Sequence, residues 1–260
     1  MQIKEIIMTL ETFKEYLNNN NALPLNKEWL LFTDLELYSL DTAESVQFNN
    51  LDELLAYELD NETVGEMINR ADGFYFSLSG GRGQNYNAKM GGGFNHAGGG
   101  RKGKGFGEVK FPVEFNGLGT AKNYQKTLAE FRKKYGDAER EYGITVDDLG
   151  YVYNHIQGDR TSVPISGGKG QVVIHNHPSG GNFSDTDLIN TASDNSLGIV
   201  AVGKKNYSFM KTNHFKAKEF IKAVKKAQWP ERYSYDEGAD WWLRQNAKKY
   251  GYKYTAQKGK

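Results

Sequence analysis

The segment HNHPSGGNFSDTD, residues 175–187, decides how the rest of the chain is interpreted. It follows a short apolar run from Gln171 to Ile174, which predicts a buried strand. Successive side chains of a strand alternate between its two faces, so we expect His175 and His177 to project to the same side. Because Pro178 cannot donate to a sheet ladder, the strand is predicted to end there, with both imidazoles at its carboxyl end.

A turn and a helix are predicted to follow the two histidines. Ser184 is well placed to start a helix that continues through about Asn195, and Asp187 falls in the first turn of that helix, where it can face back toward the histidines. Two histidines and one aspartate with room for a water have the composition of a catalytic zinc centre rather than a closed structural one. The alternative is a plain capping box, in which Ser184 and Asp187 bond to each other's backbone.

These residues give the segment a resemblance to a known family. It resembles the JAMM motif (also called MPN+ or JAB) of zinc metallopeptidases, and its His-Asn-His-Pro-Ser-Gly core is most similar to the branch that contains the bacterial RadC proteins and many phage-encoded relatives. The resemblance implies that His175, His177 and Asp187 hold Zn²⁺ and that Ser184 helps to stabilise the oxyanion. One residue fewer than usual separates His177 from Ser184, a difference that a turn can absorb.

The family signature also includes a glutamate upstream, which serves as the general base. Residues 141–146 predict a strand, residues 147–150 a turn and residues 151–156 the second strand of a hairpin. Glu141 opens the first strand, in the position where the resemblance puts the general base. Glu139 is the second candidate, because a residue two positions earlier along a strand projects to the same side. The alternative for either residue is a solvated charge that closes the preceding helix.

Interleaved strands and helices predict an α/β or α+β fold with a mixed sheet. The resemblance implies a JAMM/cytidine-deaminase-like sheet flanked by helices, with the small N-terminal α/β domain as a separate unit. The expected divisions are an N-terminal domain over residues 1–78, a glycine-rich basic linker over 79–110, a connecting strand and helix over about 111–134, a JAMM-like catalytic core over 135–214, and C-terminal helices over 215–260. Within them, we predict a helix that begins at Thr9 and a strand over Val109–Phe115. We expect the last residues, 250–260, to fray.

Composition limits the function classes. The chain of 260 residues has a net charge of +1, so no global field steers it to nucleic acid or to a membrane. It contains no cysteine, which excludes disulfides, thiolate nucleophiles and cysteine zinc ligands. No signal peptide and no long apolar run are recognisable, and we therefore expect a soluble, cytoplasmic protein.

The sequence thus predicts a zinc-dependent hydrolase of the JAMM type, a metallopeptidase that cleaves a peptide or isopeptide bond in a peptide or protein substrate. Two alternatives stay open: a non-catalytic JAMM-fold binding module, and a RadC-like nucleic-acid accessory protein. For the latter, the glycine-rich tract over residues 79–107, which carries arginine and lysine but no acidic residue, could make a weak contact with nucleic acid instead of acting as a plain linker.

Overall fold

The computed structural model describes residues 21–26, 28–59, 61–71, 74–75, 94, 101–102 and 123–258. The helix predicted to begin at Thr9, the strand predicted over Val109–Phe115 and nearly all of the glycine-rich tract lie outside the described residues. No described helix is both long enough and apolar enough to cross a membrane.

A four-stranded antiparallel sheet forms the N-terminal region. Its strands, in spatial order, are β1 (Ala22–Pro24), β2 (Trp29–Phe32), β3 (Glu36–Ser39) and β4 (Ser45–Gln47). They are followed by helix α1 (Leu51–Ala56), the short pair β5 (Glu58–Leu59) and β6 (Glu62–Thr63), helix α2 (Val64–Ala71), and the short pair β7 (Phe74–Tyr75) and β8 (Arg101–Lys102).

The two faces of this sheet are buried against different parts of the molecule. On one face, Leu31 and Leu37 pack against α1 and α2. The alternate residues Leu30, Phe32 and Tyr38 point to the opposite face, where they join the large core of the C-terminal half. The N-terminal sheet therefore shares a hydrophobic core with the rest of the described chain.

A six-stranded mixed sheet organises the C-terminal half, after helix α3 (Tyr124–Tyr135). Its strands and intervening helices are β9 (Tyr142–Val146), β10 (Val152–Gln157), β11 (Val172–Asn176), α4 (Asp185–Ser193), β12 (Gly198–Val202), β13 (Lys205–Lys211), α5 (Ala217–Lys225), α6 (Tyr235–Tyr250) and β14 (Tyr252–Lys258). The strand order is β10-β9-β11-β12-β13-β14. Only β11 and β12 are parallel, because α4 connects them as a crossover, and the other neighbours are antiparallel. The expected α+β class with a mixed sheet is confirmed.

Helices cover both faces of the sheet. On one face, Phe131 and Tyr135 of α3 pack against Ile144, Ile174 and Val202. On the other face, α4, α5 and α6 pack against the alternate residues of the strands, which are Val173, Ile199 and Ala201. The histidine at position 175 shares the parity of Val173, so it belongs to the face that carries α4.

The prediction that residues 250–260 fray is wrong for residues 252–258. Gly251 ends α6 with a left-handed backbone (φ 76°), and the chain then forms β14, which pairs with β13 along its whole length. The side chains of Tyr252 and Tyr254 both point toward the core and are buried, and this burial stabilises the position of the strand. The C-terminal region therefore consists of two helices and an edge strand rather than helices alone.

Candidate metal centre

Strand β11 and helix α4 bring the three predicted ligands together. The Nε2 atoms of His175 and His177 lie 2.6 Å apart. In Asp187, the carboxylate oxygen Oδ1 lies 3.8 Å from Nε2 of His175, and the other oxygen, Oδ2, lies 3.6 Å from Nε2 of His177. One ligand atom from each residue falls within a group no more than 4.8 Å across, and all three side chains are buried. The predicted face-sharing of the two histidines is confirmed.

Both histidines are held in the neutral form that a metal needs. Burial lowers the pKa of His175 well below its usual value, and the neighbouring His177 lowers it further. Burial also lowers the pKa of His177 to about 4, although the bond to the Gly181 carbonyl and the charge of Asp236 oppose this shift. A neutral imidazole offers a lone pair on one nitrogen, which is the form that binds a metal.

The hydrogen bonds of the rings direct both Nε2 atoms toward each other. Nδ1 of His177 lies 2.8 Å from the carbonyl oxygen of Gly181, and a proton there leaves Nε2 as the acceptor. Nδ1 of His175 is buried, and among the described residues it has no hydrogen-bond partner. Because the two Nε2 atoms lie within hydrogen-bonding distance, the Nε2–H of His175 donates to Nε2 of His177, and metal binding requires that proton to leave Nε2, for example to the unpartnered Nδ1.

The donor set fits a metal ion. In a tetrahedral zinc site with Zn–N distances of about 2.0–2.1 Å, two imidazole nitrogens are about 3.3 Å apart, so the two rings need to separate by less than about 1 Å. The present distances from Asp187 to the histidines need to shorten by a similar or smaller amount. Two imidazoles and a carboxylate leave a fourth position for a water or a substrate atom.

Ser184 and Asp187 form a full capping box at the start of α4. The Ser184 Oγ accepts from the backbone N–H of Asp187 at 3.1 Å, and the Asp187 Oδ2 accepts from the backbone N–H of Ser184 at 2.7 Å. The capping alternative is therefore present in the structure, and it also orients the carboxylate toward His177. Thr191 adds a bond from its hydroxyl to the Asp187 carbonyl at 2.8 Å, which fixes the same turn.

The two candidate bases occupy different environments. The side chain of Glu139 is 87% exposed and lies 3.7 Å from Arg160 at the surface, whereas Glu141 is 1% exposed. The β9–β11 pairing ends at His175 opposite Gly143, and its continuation by two residues places Glu141 opposite His177 on the same face of the sheet. Glu141 is thus the buried candidate and Glu139 the exposed one.

Asn176 is a site residue that the sequence reasoning missed. Its side-chain oxygen accepts from the backbone N–H of Tyr142 at 2.6 Å, and its side-chain nitrogen donates to the Arg140 carbonyl at 2.9 Å. These two backbone groups flank Glu141, so the amide holds the chain on both sides of the candidate base. The signal available in the sequence was a polar residue between two metal ligands at the end of a buried strand.

Hydrogen bonds from the C-terminal region stabilise the loop between the histidines and α4. Asp236 accepts from the backbone N–H of Asn182 at 2.9 Å, and the Asn182 side chain donates to the Tyr254 hydroxyl at 2.8 Å. The hydroxyl of Tyr235 donates to the Phe183 carbonyl at 2.8 Å. Helix α6 and strand β14 therefore set the position of the loop that carries His177 toward Asp187.

The centre is closed in this structure. His175, Asp187 and Ser184 are fully buried, and Glu141 and His177 are exposed by 1% and 2%. Such burial strengthens electrostatic interactions at the site, because little water screens them. A substrate can reach the ligands only when the residues around them move.

Comparisons of this chain with protein-family models, with curated proteins and with solved structures found no match.

Proposed function

We propose that this protein is a zinc-dependent hydrolase of the JAMM type that cleaves peptide or isopeptide bonds. The observation that carries the proposal is the convergence of His175, His177 and Asp187 on one buried point, with both imidazoles neutral. Among the metals that imidazole and carboxylate ligands suit, zinc matches a set of three protein ligands with an open fourth position. Of the two glutamates considered for the base, Glu141 is the buried one, and it directly precedes β9, the strand that pairs with β11.

Bound Zn²⁺ would supply a water with a pKa near neutrality and would polarise the scissile carbonyl. Glu141 takes the proton from the attacking water and delivers it to the leaving nitrogen, which a carboxylate in a buried site is suited to do. The Ser184 hydroxyl accepts its capping bond through oxygen and keeps its own hydrogen, so it can donate to the developing oxyanion.

A second candidate is supported by the burial of the site. Every ligand of the group is exposed by 2% or less, which is the environment of a metal that stabilises a fold rather than one that meets a substrate. In this reading the protein is a non-catalytic binding module, and the metal orders the loop between β11 and α4.

Metal content is the first test of the proposal. Elemental analysis of the purified protein should find about one zinc per chain in the wild type and none in His177→Ala, because two remaining ligands bind zinc weakly. His214→Ala is the matched control, since His214 is exposed and lies outside the ligand group, and it should keep its zinc. A wild-type protein that takes up no added zinc overturns the proposal.

Glu141→Gln separates the hydrolase from the binding module. Zinc-loaded wild type and variants are incubated with a library of unstructured peptides, and cleavage is read by mass spectrometry. Removal of a general base typically lowers the rate by about 10²–10⁴, so Glu141→Gln should keep its zinc and lose nearly all cleavage. Glu139→Gln should cleave like the wild type. Zinc uptake without cleavage by the wild type would favour the binding module.

A further inference from the structure

A cleft of about 620 Å³ lies between the end of α3 and the turn that joins β12 to β13. Its polar lining consists of Arg132, Lys133, Asp137 and Lys204, and Gly136 and Gly203 form much of the remaining wall. The volume falls within the range of about 300–1,000 Å³ that is typical of ligand sites.

The cleft is in direct contact with the loop that follows the metal ligands. The backbone N–H of His177 donates to the Val202 carbonyl at 2.9 Å, one residue before the β12–β13 turn. A side chain on Gly203 would begin 3.1 Å from the His177 carbonyl oxygen. The aliphatic carbons of Lys204 lie 3.4–3.5 Å from the point where a side chain on Gly180 would begin. Lys204 therefore covers the turn after His177.

The cleft and the metal centre share one edge of the sheet but lie on opposite faces. Helix α3, which forms one wall of the cleft, packs on the face of Ile144 and Ile174, whereas His175 belongs to the face of α4. Both sites lie at the carboxyl ends of the parallel strands β11 and β12. The turn at Gly180 and Gly181 contacts both sites, because Lys204 packs near Gly180 and the Gly181 carbonyl lies 2.8 Å from Nδ1 of His177.

The cleft carries an excess of positive charge. Arg132, Lys133 and Lys204 oppose the single carboxylate of Asp137, which gives a local charge of three minus one, or +2. Within the described part of the chain none of the three cations forms an ion pair. The Arg132 guanidinium is held in place, because the side-chain oxygen of Asn206, in the orientation that satisfies both groups, accepts from it at 2.7 Å.

Several cations elsewhere in the described chain form ion pairs. Lys211 and Lys225 bond to Asp194 and Asp185, and Lys218 bonds to Asp34. The cleft therefore places three cations without an ion pair in the described chain around one space, where a fixed guanidinium and two ammonium groups can bind carboxylates.

We propose that this cleft binds an acidic segment of the peptide substrate, with Arg132, Lys133 and Lys204 holding its carboxylate side chains. The identity of the ligand as substrate rests on the proposed hydrolase function, whereas the binding of an acidic peptide does not. A cleft with three cations and Asp137 in its wall suits a few carboxylates better than a nucleic-acid backbone, which needs an extended basic track to neutralise many phosphates.

The test is fluorescence anisotropy with a fluorescein-labelled hexaglutamate peptide on the full chain, with hexaglutamine as the uncharged control. We expect hexaglutamate to bind and hexaglutamine not to bind. Lys204→Glu should weaken binding about tenfold or more, and the milder Lys204→Gln should weaken it less. Lys253→Glu introduces the same charge change at an exposed position of the edge strand β14 and should alter affinity by less than about twofold.

The outcomes are distinguishable from those for the metal centre. Equal weakening by Lys204→Glu and Lys253→Glu, or no binding of hexaglutamate to the wild type, overturns the acidic-peptide site. Stronger binding of a single-stranded oligonucleotide that competes for the cleft also overturns it, in favour of nucleic acid. Zinc content measured on the same samples reports on the hydrolase separately: zinc with no peptide binding leaves the metal centre intact, and peptide binding with no zinc supports the cleft alone.

Discussion

Asn176 lies between the two histidines, but strand alternation turns its side chain away from them and toward the backbone on both sides of Glu141. Asn176→Ala removes two part-buried hydrogen bonds of a buried side chain, and we expect the free energy of unfolding to fall by about 1–3 kcal/mol. Zinc content should stay at the wild-type level, because no metal ligand is changed, whereas peptide cleavage should fall as Glu141 loses its fixed position. Urea unfolding, elemental analysis and the cleavage assay measure the three effects.

Asn154→Ala is the matched control for that variant. Asn154 also makes a side-chain hydrogen bond within the sheet, to Thr145 at 3.2 Å, but it touches neither neighbour of Glu141. It should change cleavage by less than about twofold. Loss of zinc in Asn176→Ala, or equal loss of cleavage in both variants, would contradict the positioning role.

Ser184 has two functions to separate, capping and oxyanion stabilisation. Ser184→Ala should lower stability by about 1 kcal/mol through loss of the cap, and should lower the cleavage rate by about 10²–10³ while leaving measurable activity. Ser234 forms the same capping box with Glu237 at the start of α6, so Ser234→Ala is the control for the cap alone. Similar losses of stability but unchanged cleavage in both variants would show that Ser184 is only a cap.

At the scale of secondary structure, the end of α4 is held by a buried lysine on β13. The Lys211 ammonium donates to the carbonyls of Thr191 and Asp194 at 2.6 and 2.8 Å and lies 3.3 Å from the Asp194 carboxylate. A cation at this position satisfies carbonyls that a helix end leaves without partners. The same carboxylate accepts from the backbone N–H of Gly167, so one ion pair joins the helix, the strand and the loop before β11.

Lys211→Met should lower the free energy of unfolding by about 3 kcal/mol, because it leaves Asp194 buried without its cation. Lys253→Met on the adjacent strand β14 changes an exposed lysine and should stay within about 0.5 kcal/mol of the wild type. Urea denaturation of the two variants provides the comparison. A stability loss below about 1 kcal/mol in Lys211→Met would mean that Gly167 and Ser196 satisfy Asp194 by themselves.

At the scale of the whole molecule, an ion-pair cluster joins the N-terminal sheet to α5. Lys218 and Lys222 both contact the buried carboxylate of Glu36, and Lys218 also contacts Asp34. The aliphatic and charged parts of the two lysines lie over Phe32 and Tyr38, with Nζ 5.4 and 5.5 Å from the ring centroids. The N-terminal sheet is thus fastened to the C-terminal half by charge as well as by the shared core.

This cluster predicts how stability depends on pH. Burial raises the pKa of Glu36, but the bonds from Lys218 and Lys222 outweigh it and lower the pKa from 4.5 to about 2. Because the folded-state pKa is lowered, the stabilisation is complete above the unfolded value of 4.5 and is lost as the pH falls toward 2. Glu36→Gln should therefore flatten the fall in unfolding free energy over this pH range.

Urea unfolding at a series of pH values between about 2 and 6 measures that slope. Glu44→Gln, at an exposed position next to the same sheet, is the control and should keep the wild-type slope. An identical slope in Glu36→Gln and the wild type would show that Glu36 is not the group whose protonation weakens the junction.

Local patterns in the sequence were sufficient for much of the fold and for the metal ligands. The spacing of His175 and His177 on a strand determines a common face, and Ser184 followed three residues later by Asp187 determines a helix start, because both depend on the periodicity of one short segment. The hairpin of β9 and β10 and the order of strand, helix and strand after residue 171 were predicted for the same reason.

Features that depend on distant parts of the chain were not predictable in this way. The difference in burial between Glu141 and Glu139 arises only in the assembled fold, and the strand β14 required a partner, β13, more than forty residues upstream. The prediction of a frayed C-terminus was wrong because the burial of Tyr252 and Tyr254 depends on the reversal of the chain at Gly251, after α6, which brings them against the core.

The sequence by itself determined which residues can bind a metal, because ligand type and local spacing are properties of thirteen consecutive residues. Only the tertiary structure decided how that site is held and how closed it is. Asp236, Tyr235 and Tyr254 reach the loop from other elements, and Asn176 bonds from β11 to the distant backbone around Glu141. Burial in the assembled fold lowers the pKa of both histidines and so makes them neutral. Hydrogen bonds across long sequence separations and the removal of water are effects of packing, which no local pattern of residues contains.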